Sequence, residues 1–264
     1  MTMTFFLHES IQPNAPLDLI ERGAADPRPM SRLTGEFPLL VDKLRVPSTG
    51  RVLDRERLRT LLEKSMAQFP ATLLSGRAGS GKSVLAASLA ESVKNVAWYT
   101  IETADVDWSV FSRYLSQCLT EAGLGQACSL RESRGRSSES EIAGFLSAHF
   151  LKAERSGQEK TLIVLDDVHH IFDVPWFEDF FKLLLYSLPL NSHLLMLCRS
   201  KPPSPLWRLR SKQVLNVIEE DQLAFTTDET EALFRMLDST ADPSAAQEEA
   251  FGRVGKLVEL AEES

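Results

Sequence analysis

A glycine-rich segment followed by lysine and serine constrains this chain more than any other feature. Residues 76–83 read Gly-Arg-Ala-Gly-Ser-Gly-Lys-Ser and satisfy the pattern G-x-x-x-x-G-K-[ST] of phosphate-binding loops. An apolar run at 71–75 precedes the segment, and a helix-forming run at 83–90 follows it. This order of strand, loop and helix predicts an α/β fold in which the loop binds a nucleotide. A glycine-rich turn that matches by chance is the alternative.

The loop has the residue types that phosphate binding requires. We expect its glycines to adopt positive φ, so that backbone N–H groups come close to the phosphates. The Lys82 ammonium is expected to reach the β- and γ-phosphates, and the Ser83 hydroxyl to ligand Mg²⁺. The residues predicted to bind the nucleotide here are Gly76, Arg77, Ala78, Gly79, Ser80, Gly81, Lys82, Ser83 and Val84.

Two later apolar runs end in charged residues suited to phosphoryl transfer. Residues 161–165 lead into Asp166 and Asp167, and residues 194–198 lead into Arg199. Acids at the carboxyl end of a parallel strand lie where open α/β sheets bind ligands. We expect Asp166 to coordinate Mg²⁺ through water, and Asp167 to orient or deprotonate the attacking water. Arg199 is expected to sense the γ-phosphate. The alternatives are that Asp167 only caps a turn and that Arg199 pairs with one of the aspartates.

Composition excludes several functional classes. The 264 residues carry a net charge of -8, which argues against extensive nucleic-acid binding. The three cysteines, at 118, 128 and 198, lack the spacing of a zinc site or a disulfide framework. No signal peptide and no run of ~18 uncharged apolar residues is present, so no membrane partner is predicted and a cytoplasmic location is expected. His169 is expected to be a hydrogen-bond partner of the site rather than a ligand of a transition metal.

Strand and helix patterns alternate along most of the chain. Strands are predicted at 71–75, 96–101, 161–167, 192–199 and 213–218, which indicates a central parallel five-stranded sheet flanked by helices. We divide the chain into a proline-rich, poorly ordered extension at 1–40, a P-loop ATPase domain at 41–225 and a small helical lid at 226–264. The lid is expected to comprise a helix at 228–237 and one or two more within 244–262.

Several stretches together resemble one known family. They are 43–47, 52–55, 96–101 with Asp105 and Asp107, 165–169, 198–203 and 206–210. The chain looks like the nucleotide-binding module of MalT-type regulators, in the STAND class of signalling P-loop ATPases. The last two stretches are the most specific, because generic P-loop proteins lack them. The chain departs from the family at 251–256, where an expected tryptophan is absent.

The resemblance implies an ATP/ADP switch. ADP would hold a closed form, ATP would favour a self-associating form, and slow Mg²⁺-dependent hydrolysis would reset the switch. It also places the adenine beside Val46, Val52 and Arg55, with the loop strand in the middle of the sheet next to the Arg199 strand. Sensor and effector domains of such regulators are not recognisable in this chain. The alternative is a ring-forming, energy-transducing ATPase acting on DNA or protein, in which Arg208 or Arg210 serves as an arginine finger.

Overall fold

The computed structural model describes residues 39–125, 138–151 and 160–263. These residues belong to one compact unit that begins at Leu39. Most of the extension predicted at 1–40 therefore lies outside the described residues, and so does Cys128.

The five predicted strands form one sheet in which every pairing is parallel. The strands are β1 (Ala71–Ser75), β2 (Asn95–Thr100), β3 (Thr161–Asp166), β4 (Ser192–Cys198) and β5 (Leu215–Ile218). Their order is β2-β3-β4-β1-β5. The predicted fold class is confirmed. The loop strand β1 lies beside the Arg199 strand β4 as expected, but β4 rather than β1 occupies the middle of the sheet.

Ten α helices accompany the strands within the described ranges. They are α1 (Glu56–Gln68), α2 (Lys82–Glu91), α3 (Trp108–Glu121), α4 (Glu139–Phe150), α5 (Phe177–Ser187), α6 (Ser204–Ser211), α7 (Glu220–Leu223), α8 (Thr227–Met236), α9 (Pro243–Ala250) and α10 (Val254–Glu262). The sequence patterns did not predict α6 or α7. Short 3-10 turns occur at Val41–Leu44, Thr103–Val106 and Val168–Ile171.

The strands are apolar over most of their length because both faces of the sheet are covered. In β3, Ile163 and Leu165 belong to a core on one face, which includes residues of α3, α4 and α5. Leu162 and Val164 belong to the core on the other face, under α1 and α2. This two-sided burial is the expected environment of a parallel sheet.

The C-terminal helices have a core of their own. Side chains of α8, α9 and α10 form a separate buried cluster, with Phe234 and Leu257 at 2% and 0% exposure. Leu53, from the segment before α1, packs against this cluster. These helices coincide with the segment predicted to be the lid.

Candidate nucleotide-binding site

The predicted site residues meet at one edge of the sheet. Parallel strands present their carboxyl ends on the same side, and the chain leaves β1 into the loop that begins at Gly76. It leaves β3 at Asp166 and β4 at Arg199. The Gly76 N–H donates to the carbonyl of Cys198 at 3.2 Å, which fixes the start of the loop to the end of β4. The topology thus brings the three motifs of the sequence together.

The loop glycines do not all serve the same purpose. Gly79 and Gly81 have φ of +77° and +84°, as predicted. Gly76 does not have positive φ, so that prediction was wrong. A Cβ at Gly76 would lie 3.1 Å from Ser80 Oγ and 3.4 Å from Glu220 Cβ. The requirement at Gly76 is therefore close packing rather than an unusual backbone conformation.

The Lys82 ammonium is turned into the loop. Its Nζ donates to the carbonyl oxygens of Gly76 and Arg77 at 2.5 and 2.9 Å, and to Ser80 Oγ at 2.9 Å. Burial lowers the pKa of Lys82, while the nearby Cys198 and Asp166 act in the opposite direction. A desolvated cation held by neutral oxygens is well placed to exchange them for phosphate oxygens, which carry charge.

Asp166 and Ser83 supply oxygen atoms at the end of β3 and the start of α2. Asp166 is 5% exposed, and burial raises the pKa of its carboxyl group. A hydrogen bond from the Ser83 side chain works against that rise. The Asp167 N–H also donates to Asp166 Oδ1, at 2.8 Å. A hydroxyl beside a buried carboxylate is a donor set that suits Mg²⁺, which takes few protein ligands and completes its shell with phosphates and water.

Asp167 and Arg199 form a bidentate ion pair. Arg199 Nε and Nη2 donate to the two carboxylate oxygens of Asp167 at 2.8 and 2.6 Å. Asp167 has a left-handed backbone with φ of +56°, and its side chain makes no capping hydrogen bond to the turn that follows. The carboxylate is therefore aimed at Arg199 rather than at the turn. The alternative stated from the sequence, in which Arg199 pairs with one of the aspartates, is therefore present. This ion pair is compatible with a nucleotide-sensing role for Arg199.

His169 lies beside this pair. Its Nδ1 is 3.7 Å from Asp167 Oδ1, which is too long for a hydrogen bond. Burial lowers the pKa of His169, and the adjacent His170 ring, whose centroid is 4.2 Å away, adds to that effect. The imidazole is thus held neutral next to the carboxylate. Within the described residues, no group of three or more His, Cys, Asp or Glu side chains forms a metal cluster.

The residues predicted to contact the adenine fall into two groups. Val46 and Val52 are 38% and 36% exposed, so each presents apolar surface that a base can cover. Val84, which was predicted to bind the nucleotide together with the loop, is 43% exposed. Arg55 instead has a side chain that is only 8% exposed and that contacts the C-terminal helices. The assignment of Val46, Val52 and Arg55 to the base stays a prediction.

Two contacts of the loop were not predicted from the sequence. Arg77 Nε donates to Glu220 Oε1 at 2.9 Å, which joins the loop to the start of α7. The Gly255 N–H donates to the Gly79 carbonyl at 2.9 Å, which joins the loop to the start of α10. A Cβ on Gly255 would lie 3.1 Å from Gly79 Cα. The glycine at 255 was the available signal in the sequence, because the absence of a Cβ allows another backbone to approach closely.

The two candidate arginine fingers lie on α6. Arg208 and Arg210 have half-exposed to exposed side chains that pair with Glu178 and Glu219 at 3.2 and 3.3 Å. Arg210 also lies over the Trp207 ring, 4.9 Å from its centroid. In the described ranges, no helix is both long and apolar enough to cross a membrane.

Comparison with known proteins agrees with this geometry. Residues 47–197 match the family model described as the AAA ATPase domain. This chain belongs to that family. It is 31% identical over 183 residues to the HTH-type transcriptional regulator MalT of Vibrio parahaemolyticus, and 32% identical over 184 residues to that of Vibrio campbellii. Each match covers 68% of this chain and 20% of the regulator. The chain therefore spans about a fifth of the length of these relatives.

A solved structure supports the fold. The STAND protein with a tetratricopeptide repeat sensor from Pyrococcus horikoshii superimposes with a TM-score of 0.53 at 16% identity. The match covers 79% of this chain and 29% of that one. The predicted resemblance to MalT-type STAND P-loop ATPases is thus confirmed, and the chain carries an ATPase domain of that type.

Proposed function

We propose that this chain is a nucleotide-controlled switch module of a signalling or transcriptional regulator, which binds ATP or ADP and hydrolyses ATP slowly with Mg²⁺. One observation carries the proposal. The phosphate-binding loop, the buried Asp166 with Ser83, and the Asp167–Arg199 pair converge on one edge of the sheet. Binding, metal coordination and phosphate sensing are the three tasks that a P-loop ATPase must combine.

Nucleotide binding would use groups that already point into the loop. Backbone N–H groups at the start of α2 face the anion, and the helix dipole favours negative charge there. Lys82 would release the carbonyls of Gly76 and Arg77 and take phosphate oxygens instead. Mg²⁺, held by Ser83 and by Asp166 through water, would neutralise charge on the phosphates. The raised pKa of Asp166 makes its carboxylate more basic, and a divalent cation would keep it ionised.

The Asp167–Arg199 pair supports slow hydrolysis. Both carboxylate oxygens of Asp167 accept a short charge-assisted hydrogen bond from Arg199, so the carboxylate is engaged and is not free to position a water molecule. Asp167 would therefore orient or deprotonate water only after Arg199 turns to another anion. A γ-phosphate is such an anion, whereas ADP does not have one. Arg199 would in this way make the availability of Asp167 depend on which nucleotide is bound.

The output of the switch would be the position of the C-terminal helices. A ligand shifts a conformational equilibrium only through different contacts in the two states. Here α10 touches the loop directly at Gly79, so binding at the phosphates can alter that contact. Nucleotide-dependent self-association, and sensor or effector domains of a longer regulator, would complete the proposed function.

The first experiment is to identify the nucleotide that the purified chain carries. The protein is denatured, and any released nucleotide is separated by chromatography, with K82A prepared in parallel. Bound ADP or ATP in the wild type but not in K82A would support the proposal. If neither protein carries nucleotide, titration with Mg²⁺-ATP decides, and equal affinity in the two proteins would refute the site.

A further inference from the structure

Two arginines at the start of α1 donate hydrogen bonds to residues 222–224, the segment that connects the sheet to the C-terminal helices. Arg55 donates through Nη1 and Nη2 to the carbonyls of Leu223 and Ala224, both at 2.9 Å. Arg57 donates to the Ala224 carbonyl at 2.8 Å and reaches Gln222 in the same way. These carbonyls end helix α7 and would otherwise lack partners. The two guanidinium groups thus supply the hydrogen-bond donors that these carbonyl groups need.

Glu229 joins the two arginines. Its Oε2 accepts from Arg55 Nη2 at 2.7 Å and from Arg57 Nη2 at 3.2 Å. The same carboxylate accepts from the Thr226 N–H at 3.0 Å, as part of the capping box that starts α8. The Glu229 side chain is 14% exposed, and the Arg55 side chain 8%. We refer to Arg55, Arg57 and Glu229 as the clamp.

The contacts at position 55 require a guanidinium group. Arg55 lies over the Phe225 ring, with its Cζ 3.9 Å from the centroid. Burial lowers the pKa of Arg55, and Glu229 opposes the decrease. A planar fork can take two adjacent carbonyls while it stacks on a ring, whereas a lysine ammonium cannot do both. These buried contacts would be lost if Arg55 and the segment 223–225 moved relative to each other.

The clamp is connected to the phosphate loop through Phe225. The Phe225 N–H donates to the Gly252 carbonyl at 2.8 Å, and the Phe225 carbonyl accepts from Gln247 Nε2 at 2.7 Å. Gly252 lies two residues before the start of α10, and within that first turn the Gly255 N–H donates to the Gly79 carbonyl. Contacts therefore run without interruption from Arg55 through Phe225 and α10 to the loop.

The clamp is also connected to the segment predicted to contact the base. That segment is fixed at its other end, because Lys43 Nζ donates to both carboxylate oxygens of the buried Asp105, at 2.9 and 3.0 Å. Between these two anchors, Val46 and Val52 are exposed. Displacement of Val52 by a ligand would act on Arg55, three residues further along the chain.

We propose that the clamp transmits the state of the nucleotide site to the C-terminal helices. This rests on the proposed function, since it requires nucleotide at the loop. Base contact at one end and phosphate contact at the other would both stabilise one arrangement of α8–α10. Breaking the clamp would leave nucleotide bound to the loop but would uncouple these helices from it.

The test uses variants outside the nucleotide-binding residues. E229Q keeps the capping box, because glutamine also serves there, but removes the charge that both arginines share. R57Q removes the more exposed arm of the clamp. R59Q is the matched control, since Arg59 lies on the same helix and its closest acidic partner, Asp54, is 3.6 Å away. ADP affinity is measured by calorimetry, and ADP-dependent amide protection of residues 243–262 by hydrogen exchange.

We expect ADP to protect residues 243–262 in the wild type and in R59Q. In E229Q and R57Q, that protection should fall roughly tenfold, the scale of one charge-assisted contact, while ADP still binds. Full protection in both clamp variants would overturn the inference, as would ADP binding without protection in the wild type. Failure of the wild type to bind ADP would refute the proposed function and the inference with it. A melting curve of each variant separates loss of coupling from loss of fold.

Discussion

Acidification should destabilise this protein through one buried histidine. His193 lies at the start of β4, is 5% exposed, and belongs to a chain of hydrogen bonds at the amino edge of the sheet. Asn216 Nδ2 donates to Ser65 Oγ at 2.9 Å, and Ser65 Oγ lies 2.5 Å from Thr72 Oγ1. Thr72 Oγ1 is 3.0 Å from His193 Nε2, and His193 Nδ1 is 3.1 Å from the Phe69 carbonyl.

The direction of this chain fixes the protonation state of His193. The Phe69 carbonyl can only accept, so Nδ1 carries the proton and Nε2 accepts from the Thr72 hydroxyl. Thr72 then accepts from Ser65, which accepts from Asn216, and every member is satisfied. A proton on Nε2 would require Thr72 to accept from it and to donate to Ser65, and the Ser65 hydroxyl proton would then have no acceptor in this chain. Burial accordingly lowers the pKa of His193 to about 4.

The sign and size of the effect follow from linkage. His193 takes up a proton near pH 6.5 in the unfolded chain but only near pH 4 in the folded chain. Its contribution to the free energy of unfolding is therefore fully present above pH 6.5 and is lost as the pH falls towards 4. At ~1.4 kcal/mol for each pH unit, the total loss approaches about 3 kcal/mol, of which about 2 kcal/mol is lost by pH 5.

The assay is urea unfolding of the wild type and H193Q at pH 7 and pH 5. The free energy of unfolding of the wild type should fall by about 2 kcal/mol more than that of H193Q over this interval. His149 and His169, whose pKa values are also lowered by burial, contribute equally to both proteins and cancel in the comparison. Equal decreases in the two proteins would refute the reasoning about the hydrogen-bond chain.

Three further outcomes are expected. D167N should still bind ADP but hydrolyse ATP about 100-fold more slowly, as measured by phosphate release, and an unchanged rate would remove Asp167 from the reaction. F251N should raise the free energy of unfolding by about 1 kcal/mol, because Phe251 is 80% exposed with φ of +51° and asparagine tolerates that conformation better. G125A should lower the free energy of unfolding by more than about 1 kcal/mol, because φ of Gly125 is +84° and a Cβ would lie 2.6 Å from the Cα of His149. Urea unfolding tests F251N and G125A, and an unchanged stability of G125A would contradict the close contact with His149.

The sequence predicts the sheet well because burial on two faces leaves a simple signal. Runs such as 162–165 are apolar at every position, and their lengths exclude most helices. Helix α6 is harder to predict because Pro202, Pro203 and Pro205 stand at its start, and proline disfavours the interior of a helix. In the structure, Pro203 is the N-cap and Pro205 occupies the first turn, where the absent N–H costs nothing.

Partners of charged side chains were harder to predict than their positions. The placement of Asp166, Asp167 and Arg199 at one edge follows from strand direction alone. The clamp does not, because Arg55 and Glu229 are 174 residues apart in the sequence and are brought together only by the tertiary structure. A sequence pattern reports periodicity and local chemistry, whereas such ion pairs depend on tertiary structure.

The short turn at Val41–Leu44 has a practical consequence for shortened versions of the protein. This turn packs beside β2, the outermost strand on its side of the described sheet, and places Leu44 in the core. A protein trimmed to begin at Pro47, where the family match starts, would lose both Leu44 and the Lys43 anchor. Its β2 would then offer unpaired backbone groups and apolar surface to other molecules, which invites aggregation. Expression for crystallisation or screening should therefore retain the chain from Leu39 onward.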